Sequence, residues 1–214
     1  MAGPEAVSTG YPELDRELPG GGWPVGTLTE ILSGKEGFGE LQLVLPAFAA
    51  LTQRAKRVAW LAPPHLPYAP ALAAAGMDLS YLVVVRAPGR RDALWAAEQV
   101  LRAGSCHALL GWLPQARYAE LRKLAVAAEG SQAFVTLFRP PEAAGESSPA
   151  SLRLSLETRD GRLAAHILKR RGAPPAKSVG IPVTRPVHAL GGNRLPAVAA
   201  GSTAARPRFV PVHA

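Results

Sequence analysis

A glycine-spaced loop near the amino terminus is the segment whose residue types come closest to nucleotide chemistry. Gly34 and Gly39 have four residues between them and separate the strand-like run 28–32 from a helical pattern. Such a loop can hold phosphate through backbone N–H groups at a helix N-terminus. The next two residues should then be Lys, to neutralise phosphate, and Ser or Thr, to hold magnesium. They are Glu40 and Leu41, so the glycine spacing fits a degenerate phosphate loop and a plain glycine-rich turn equally well.

Alternating apolar runs and helical patterns define the elements that would position this loop. Short runs that are apolar on both faces are typical of buried strands in a parallel sheet. Those runs are 57–62, 82–86, 107–112 and 133–138. Helical patterns lie between them, at about 39–54, 70–75, 93–104 and 121–130. The alternation predicts an α/β fold with a mostly parallel sheet and helices on both of its faces.

A different pattern closes this region. Leu152, Leu154 and Leu156 alternate with polar residues, and a second alternating run follows the pair Asp160-Gly161. An Asp-Gly pair between alternating runs favours a type I′ turn, because that turn needs positive φ at both central positions. We therefore expect an antiparallel hairpin that extends one edge of the sheet.

The positive charge of the chain is concentrated at its carboxyl end. The 214 residues carry a formal net charge of +8, yet residues 1–161 hold 15 basic and 16 acidic residues. Residues 162–214 hold nine basic residues and no acidic one, and proline is frequent from about Gly172 onward. Proline removes backbone donors and interrupts helical periodicity. The sequence thus predicts a folded domain over 1–172 and a basic, disordered, flexible tail over 173–214.

Composition also limits the class of protein. Cys106 is the single cysteine, which excludes an intramolecular disulfide and a cysteine-based zinc cluster. No apolar run reaches the roughly 18 residues of a membrane helix. Because no basic start followed by an apolar segment is found, we expect no secretory signal. His65 and His107 have no second ligand at metal spacing. We expect a soluble cytoplasmic protein with no membrane contact, no metal site, no cofactor and no catalytic residues.

Several short phrases before the loop carry a resemblance to a known family. They are Ser8-Thr9-Gly10, Leu14-Asp15, the glycine-rich stretch 20–26 and Glu30-Ile31. In this order and spacing they resemble the beginning of the ATPase core of the RecA recombinase family, which implies a RecA-like P-loop core.

The same resemblance marks where phosphoryl-transfer chemistry is missing. Pro63-Pro64 stands where RecA proteins carry a catalytic Glu, and Gly111 stands where the Walker B Asp should end a strand. Together with Glu40 at the phosphate-clamp position and Leu41 at the metal-ligand position, these departures predict a RecA-like protein that is not an enzyme. A surviving ATPase is the least favoured interpretation.

A second resemblance narrows the expected role. The stretches 17–24, 39–43, 111–114 and 168–172 resemble the bacterial ImuA family over about 1–172. That resemblance implies a non-catalytic accessory protein of SOS-induced translesion DNA synthesis. Its implied partners are RecA, against which the RecA-like body would dock, and an ImuB-type relative of Y-family polymerases.

The central stretch also supports an alternative. Residues 39–156 are similar to the SulA family, especially at 60–63 and 110–113. This resemblance implies a cell-division inhibitor that binds the tubulin-like protein FtsZ. The two resemblances imply different partners, and the residues leave both open.

Surface contacts can be assigned to a few residues. Lys169, Arg170 and Arg171 could pair with DNA phosphates and release counterions, or could begin a partner-binding tail. Trp95 lies at the border of the apolar face of its helix and could be an exposed interface residue. Trp60 and Trp112 end apolar strands, which fits either the core or a partner groove.

Overall fold

One mixed sheet organises the part of the chain that the structure describes. The computed structural model describes residues 5–34, 39–159, 162–171, 178–181 and 208–211. Within them, nine strands form the sheet. In chain order they are β3 (Thr27–Ser33), β4 (Val58–Leu61), β5 (Leu82–Arg86), β6 (Ala108–Trp112), β7 (Phe134–Arg139), β8 (Leu152–Arg159), β9 (Arg162–Lys169), β10 (Val179–Ile181) and β11 (Arg208–Pro211). Their spatial order across the sheet is β10-β9-β8-β3-β7-β6-β4-β5-β11. A separate antiparallel ribbon pairs β1 (Ala6–Val7) with β2 (Trp23–Pro24).

The pairing divides the large sheet into two regions. From β8 to β11 every neighbouring pair is parallel. On the other side β8 pairs antiparallel with β9, and β9 with β10. The central parallel strands β4 and β6 are apolar on both faces, as strands covered on both sides must be.

Helices follow most of the parallel strands and cover both faces. They are α1 (Pro12–Glu17), α2 (Glu40–Gln53), α3 (Ala69–Ala74), α4 (Arg90–Ala103) and α5 (Tyr118–Glu129). Two 3₁₀ turns, Leu79–Tyr81 and Pro141–Gly145, complete the described helical segments. Gly104 ends α4 in the left-handed conformation, with φ of 60°, which glycine adopts without a Cβ penalty.

Each face of the sheet has its own apolar core. One core contains α2 and the aromatic side chains of Trp23, Phe48, Trp60 and Phe134. Trp23 stacks on Phe134 with ring centroids 5.3 Å apart. The other core packs α4 and α5 against the opposite face. The two large helical surfaces therefore point away from each other, with the sheet between them.

The residues that precede α1 are fixed against α2 by a close approach at Gly10. This residue has φ of 84°, and a Cβ on it would lie 2.5 Å from Cβ of Pro46, which lies inside α2. Thr9 N–H donates to Asp15 Oδ1 at 2.8 Å, and the Tyr11 hydroxyl donates to the Gln42 carbonyl at 2.8 Å. The first two phrases that carry the RecA resemblance, Ser8-Thr9-Gly10 and Leu14-Asp15, thus fold as a local structural unit against α2.

The prediction of a RecA-like P-loop core is wrong. The sheet is mixed, and the first residue of α2 is Glu40, whose side chain is buried. A buried carboxylate at the position of the phosphate-clamping lysine supplies no positive charge for a nucleotide. Residues 35–38 of the loop lie outside the described residues.

Two described pieces of the predicted tail belong to the sheet. β10 pairs with β9 at one edge, and β11 pairs with β5 at the opposite edge. Apart from these two strands and Ser178, residues 173–214 lie outside the described residues, as does the hairpin pair Asp160-Gly161. For those residues the tail and the type I′ turn stay predictions.

Candidate functional site

A cavity of about 520 Å³ opens at the carboxyl ends of the central parallel strands. Ser33 and Gly34 follow β3, Ala62 follows β4, Trp112 ends β6, and Phe138 lies near the end of β7. The carboxyl edge is where open α/β sheets commonly bind ligands. The remaining lining residues are Glu40, Pro64, Pro114, Arg139 and Pro140.

Aromatic and proline side chains make this cavity largely apolar. Trp112 and Phe138 have ring centroids 5.4 Å apart, and Trp60 packs behind Trp112 at 5.7 Å. Trp60 is buried, whereas Trp112 is partly exposed and reaches the cavity. The sequence left open whether each of these tryptophans lies in the core or in a groove. Trp60 lies in the core, and Trp112 lines the groove. Such a wall suits an apolar segment of a protein better than a triphosphate.

Two of the described residues of the degenerate loop, Gly34 and Glu40, line this cavity. Gly34 is exposed on its rim, and Gly39 precedes α2 with φ of 96°. Glu40 lines the cavity, while Leu41 packs against the core that contains α2. The structure brings Gly34 and Glu40 to one cavity, but it places there a carboxylate and apolar rings instead of a phosphate clamp and a metal ligand.

Gly111 shows why a Walker B carboxylate would not fit. Its position in β6 is buried, and a Cβ added there would lie 2.9 Å from Cδ2 of Leu137 and 3.6 Å from Cδ2 of Leu61. An aspartate would enter a space bounded by leucine side chains. Burying an unpaired carboxylate in such surroundings carries a large desolvation penalty.

A buried ionic network supports the floor of the cavity. Glu30 on β3 is fully buried; its Oε1 accepts from Arg139 Nη1 at 3.1 Å and its Oε2 from Arg153 Nε at 2.7 Å. Arg139 also donates to the Ala116 carbonyl at 2.9 Å and pairs with Glu146 at 2.9 Å. One carboxylate therefore ties β3, β7 and β8 together, and one of its two partners, Arg139, lines the cavity.

The same network fixes the 3₁₀ turn Pro141–Gly145. Arg153 donates to the carbonyl of Ala143, within the turn, at 2.5 Å and to the carbonyl of Glu146, directly after the turn, at 3.1 Å. Pro140, immediately before the turn, lines the cavity. The position of this rim thus depends on a charge cluster that the sequence analysis did not identify.

An exposed apolar loop extends the cavity surface beyond β4. Leu66 is 68% exposed and Tyr68 is 67% exposed, in the segment between β4 and α3. Pro64 in the same segment lines the cavity. We call the cavity and this loop together the carboxyl-edge surface. Large apolar side chains exposed next to an apolar groove are typical of protein contact sites.

The basic residues at the end of β9 are engaged in contacts within the fold. Lys169 Nζ donates to the Ser148 carbonyl at 3.0 Å, and Arg170 pairs with Glu17 at 3.2 Å. Arg171 is exposed. The three residues line a separate depression of about 310 Å³, so they do not join the carboxyl-edge surface. Their predicted contact with DNA or a partner stays a prediction.

Other residues singled out by sequence lie elsewhere. Trp95 is 55% exposed on α4, and its predicted interface role stays a prediction. Cys106 and His107 precede β6, at the sheet edge opposite to the cavity. Burial raises the pKa of the Cys106 thiol, and burial, with a smaller effect of Lys56, lowers the pKa of His107.

Among the described residues, no helix is long and apolar enough to span a membrane.

The region matched by a known family covers most, but not all, of the residues that line the cavity. The sequence model of the family described as "Cell division inhibitor SulA" matches residues 26–135, which is half of the chain. The chain belongs to this family of cell-division inhibitors. The match includes β3 to β6 and the helices between them, and it ends at the start of β7.

Two curated relatives agree with this assignment, and one solved structure is also similar to part of the chain. The chain is 30% identical over 111 residues to the cell division inhibitor SulA of Edwardsiella piscicida, covering 50% of this chain and 66% of that protein. It is 27% identical over 115 residues to SulA of Serratia proteamaculans, covering 54% and 68%. The crystal structure of SulA from Pseudomonas aeruginosa matches with 27% identity and a TM-score of 0.45, over 52% of this chain and 97% of that one. The chain thus spans about two thirds of the length of the curated relatives that it matches.

The family assignment corrects the fold prediction and shifts the weight between the two functional expectations. The fold is SulA-like, with a mixed sheet, instead of a RecA-like P-loop core. Both curated relatives are cell-division inhibitors, which supports the division-inhibitor alternative.

Proposed function

We propose that this protein inhibits cell division by binding FtsZ through its carboxyl-edge surface. The observation that carries the proposal is the family match over 26–135, since this range supplies most of the cavity and the whole exposed loop after β4. The action is stoichiometric: the protein occupies a surface of FtsZ that polymerisation needs.

The chemistry of the surface supports binding to a protein. Leu66 and Tyr68 project apolar area into solvent beside a groove walled by Trp112 and Phe138. Burying two large side chains of this kind contributes roughly 1.5–3 kcal/mol each. Aromatic anchors near the centre of an interface commonly dominate its binding energy.

We also propose that the protein hydrolyses no nucleotide. Buried Glu40 stands at the clamp position, and the leucine side chains around Gly111 leave no space for a metal-binding carboxylate. A phosphoryl-transfer site needs both positive charge and a metal ligand at these places. The cytoplasmic location stays a prediction.

Substitutions of the two exposed apolar residues, Leu66 and Tyr68, test the carboxyl-edge surface, and a second exposed tyrosine supplies the control. We expect Tyr68→Ala and Leu66→Glu to weaken FtsZ binding at least about tenfold, because each removes an exposed apolar contact. Tyr118→Ala is the control, since Tyr118 is also exposed but lies at the start of α5. Sedimentation of FtsZ polymers and its GTPase activity, with increasing amounts of each variant, give the measurement. Equal inhibition by all variants would overturn the assignment of the surface, and no inhibition by the unaltered protein would overturn the function.

The accessory role in translesion synthesis stays a prediction from resemblance. Parallel co-purification with RecA, ImuB and FtsZ separates the two functions. Capture of FtsZ alone supports the division-inhibitor proposal, and capture of RecA and ImuB without FtsZ contradicts it.

A further inference from the structure

A second groove lies on the opposite face of the sheet, between α4 and α5. Two adjoining depressions of about 340 and 610 Å³ share Glu98 and Lys123 in their walls. We call them together the interhelix groove. Its walls include the apolar side chains of Trp95 and Val126 and the basic side chains of Arg91, Arg122 and Lys123.

The charges of this groove do not cancel. Arg102 pairs with Glu98 at 2.6 Å, and Arg90 pairs with Glu120 at 3.3 Å, so both carboxylates have a partner from within the groove. Arg91, Arg122 and Lys123 make no ion pair with any described residue. The groove therefore presents an excess of three positive charges, although residues 1–161 as a whole carry a net charge of −1.

Apolar side chains lie among these charges. Trp95 is 55% exposed and Val126 is 51% exposed, one on each helix, and Leu94 is half-buried beside Trp95. An exposed tryptophan flanked by arginine and lysine can bury its ring while the cations pair with carboxylates at the rim. This is the complement of a helix that is apolar on one side and acidic on its flanks.

We propose that the interhelix groove binds an acidic amphipathic helical segment of a partner protein. α4 has 14 residues and is therefore about 21 Å long, which is the length of a partner helix of about 14 residues. The partner's apolar residues would contact Trp95 and Val126. Its carboxylates would pair with Arg91, Arg122 and Lys123.

The charge distribution disfavours the other occupants of such a groove. A second copy docked by two-fold symmetry would bring two positive grooves together, which is repulsive. A nucleic acid would bring its phosphates against Glu98 and Glu120 as well as against the basic residues. It would also find one exposed tryptophan instead of a series of stacking rings.

A labelled peptide tests this proposal on the full chain. The probe is a fluorescein-labelled 16-residue helical peptide with leucine and phenylalanine at i, i+3, i+4 and i+7 and glutamate on both flanks. A second peptide has lysine in place of every glutamate, and a third probe is an oligothymidylate of about 20 nucleotides. Fluorescence anisotropy gives the affinities. We expect binding of the acidic peptide that weakens with salt, and little binding of the other two probes.

Paired charge reversals supply the matched control. The double variant Arg122→Glu/Lys123→Glu should bind the acidic peptide at least about tenfold more weakly, and Trp95→Ala should weaken it by a similar factor. The double variant Arg54→Glu/Lys56→Glu changes the same charge at exposed residues near the end of α2, on the other face of the sheet, and should bind within about twofold of the unaltered protein. Circular dichroism verifies that each variant is folded.

Each result decides the proposal. Equal binding of the acidic and basic peptides, equal losses in both charge reversals, or preference for the oligonucleotide would overturn it. FtsZ inhibition is measured on the same variants. Retained FtsZ inhibition by Arg122→Glu/Lys123→Glu, with loss of peptide binding, shows that the two surfaces act separately.

Discussion

Neutralising Glu30 should destabilise the protein strongly, because this one carboxylate pairs with two buried guanidinium groups. In Glu30→Gln the side chain keeps its volume, so no cavity forms and the effect comes from charge. Arg139 retains an ionic partner in Glu146, at 2.9 Å. Arg153 retains main-chain carbonyls but no carboxylate within 4.0 Å among the described residues.

The magnitude follows from this asymmetry. Breaking a buried ion pair by removing one partner costs about 3–5 kcal/mol, because a buried charge is left uncompensated. We expect a loss in this range, arising mainly at Arg153, which is 7% exposed. Against a total stability of about 5–15 kcal/mol, such a loss would lower the urea midpoint by a large fraction.

Urea unfolding followed by tryptophan fluorescence and by circular dichroism measures this loss. Glu13→Gln is the matched control, because the Glu13–Arg16 pair is exposed and 3.7 Å long, and it should lose less than about 1 kcal/mol. A further Arg153→Met substitution in the Glu30→Gln background should recover part of the stability, since it removes the uncompensated charge. If Glu30→Gln and Glu13→Gln have the same urea midpoint, the reasoning about the buried network is refuted.

Three further substitutions or treatments have expected outcomes. Gly111→Asp should lower the stability by about 3 kcal/mol or more and yield no ATPase activity, because the carboxylate meets Leu137 in an apolar space. Thermal unfolding measures this loss. Gly145→Asp is the control and should have little effect, because a Cβ at that position meets nothing within 4 Å. Since burial raises the pKa of the Cys106 thiol, iodoacetamide should alkylate the native protein more slowly than the urea-unfolded protein at pH about 8, and equal rates would contradict this. Burial lowers the pKa of His107 below its usual 6.5, so the unfolded chain takes up a proton at this residue at a higher pH than the folded chain does. The protein should therefore lose stability as the pH falls below about 6.5. Between about pH 7 and pH 5 the urea midpoint should decline more in the unaltered protein than in His107→Gln.

Local patterns in the sequence predict the local elements. The alternation of Leu152, Leu154 and Leu156 predicts two paired strands, and the structure pairs Leu154 with Ile167 and Leu156 with Ala165. Period-two alternation depends on neighbouring residues alone, so it can be recognised without knowledge of the rest of the fold.

Long-range contacts explain what the sequence analysis missed. Trp23, in the glycine-rich stretch 20–26, is buried because it stacks on Phe134, which lies on a strand 111 residues further along the chain. Glu30 was part of a motif phrase, and its two arginine partners lie 109 and 123 positions further along the chain. An acidic residue inside an apolar strand was a signal that a buried partner exists.

The incorrect P-loop core has a similar origin. The spacing of Gly34 and Gly39 is a backbone pattern, and it carries no information on whether the neighbouring Glu40 side chain is buried. Burial of that carboxylate depends on the packing of α2 and the cavity wall. The glycine spacing was therefore compatible with a fold in which the nucleotide chemistry is missing.

The two outermost strands affect how the sheet behaves toward other chains. β10 has three residues and β11 has four, and each is shorter than the strand that it covers. β5, with three consecutive valines, would otherwise present an open row of N–H and C=O groups at the edge of a parallel sheet. Long apolar edges of this kind invite strand-to-strand aggregation, and short edge strands resist it. The carboxyl-terminal segment, poor in aromatic residues and rich in proline, thereby contributes to solubility by closing the edge of a sheet whose body lies far from it in sequence.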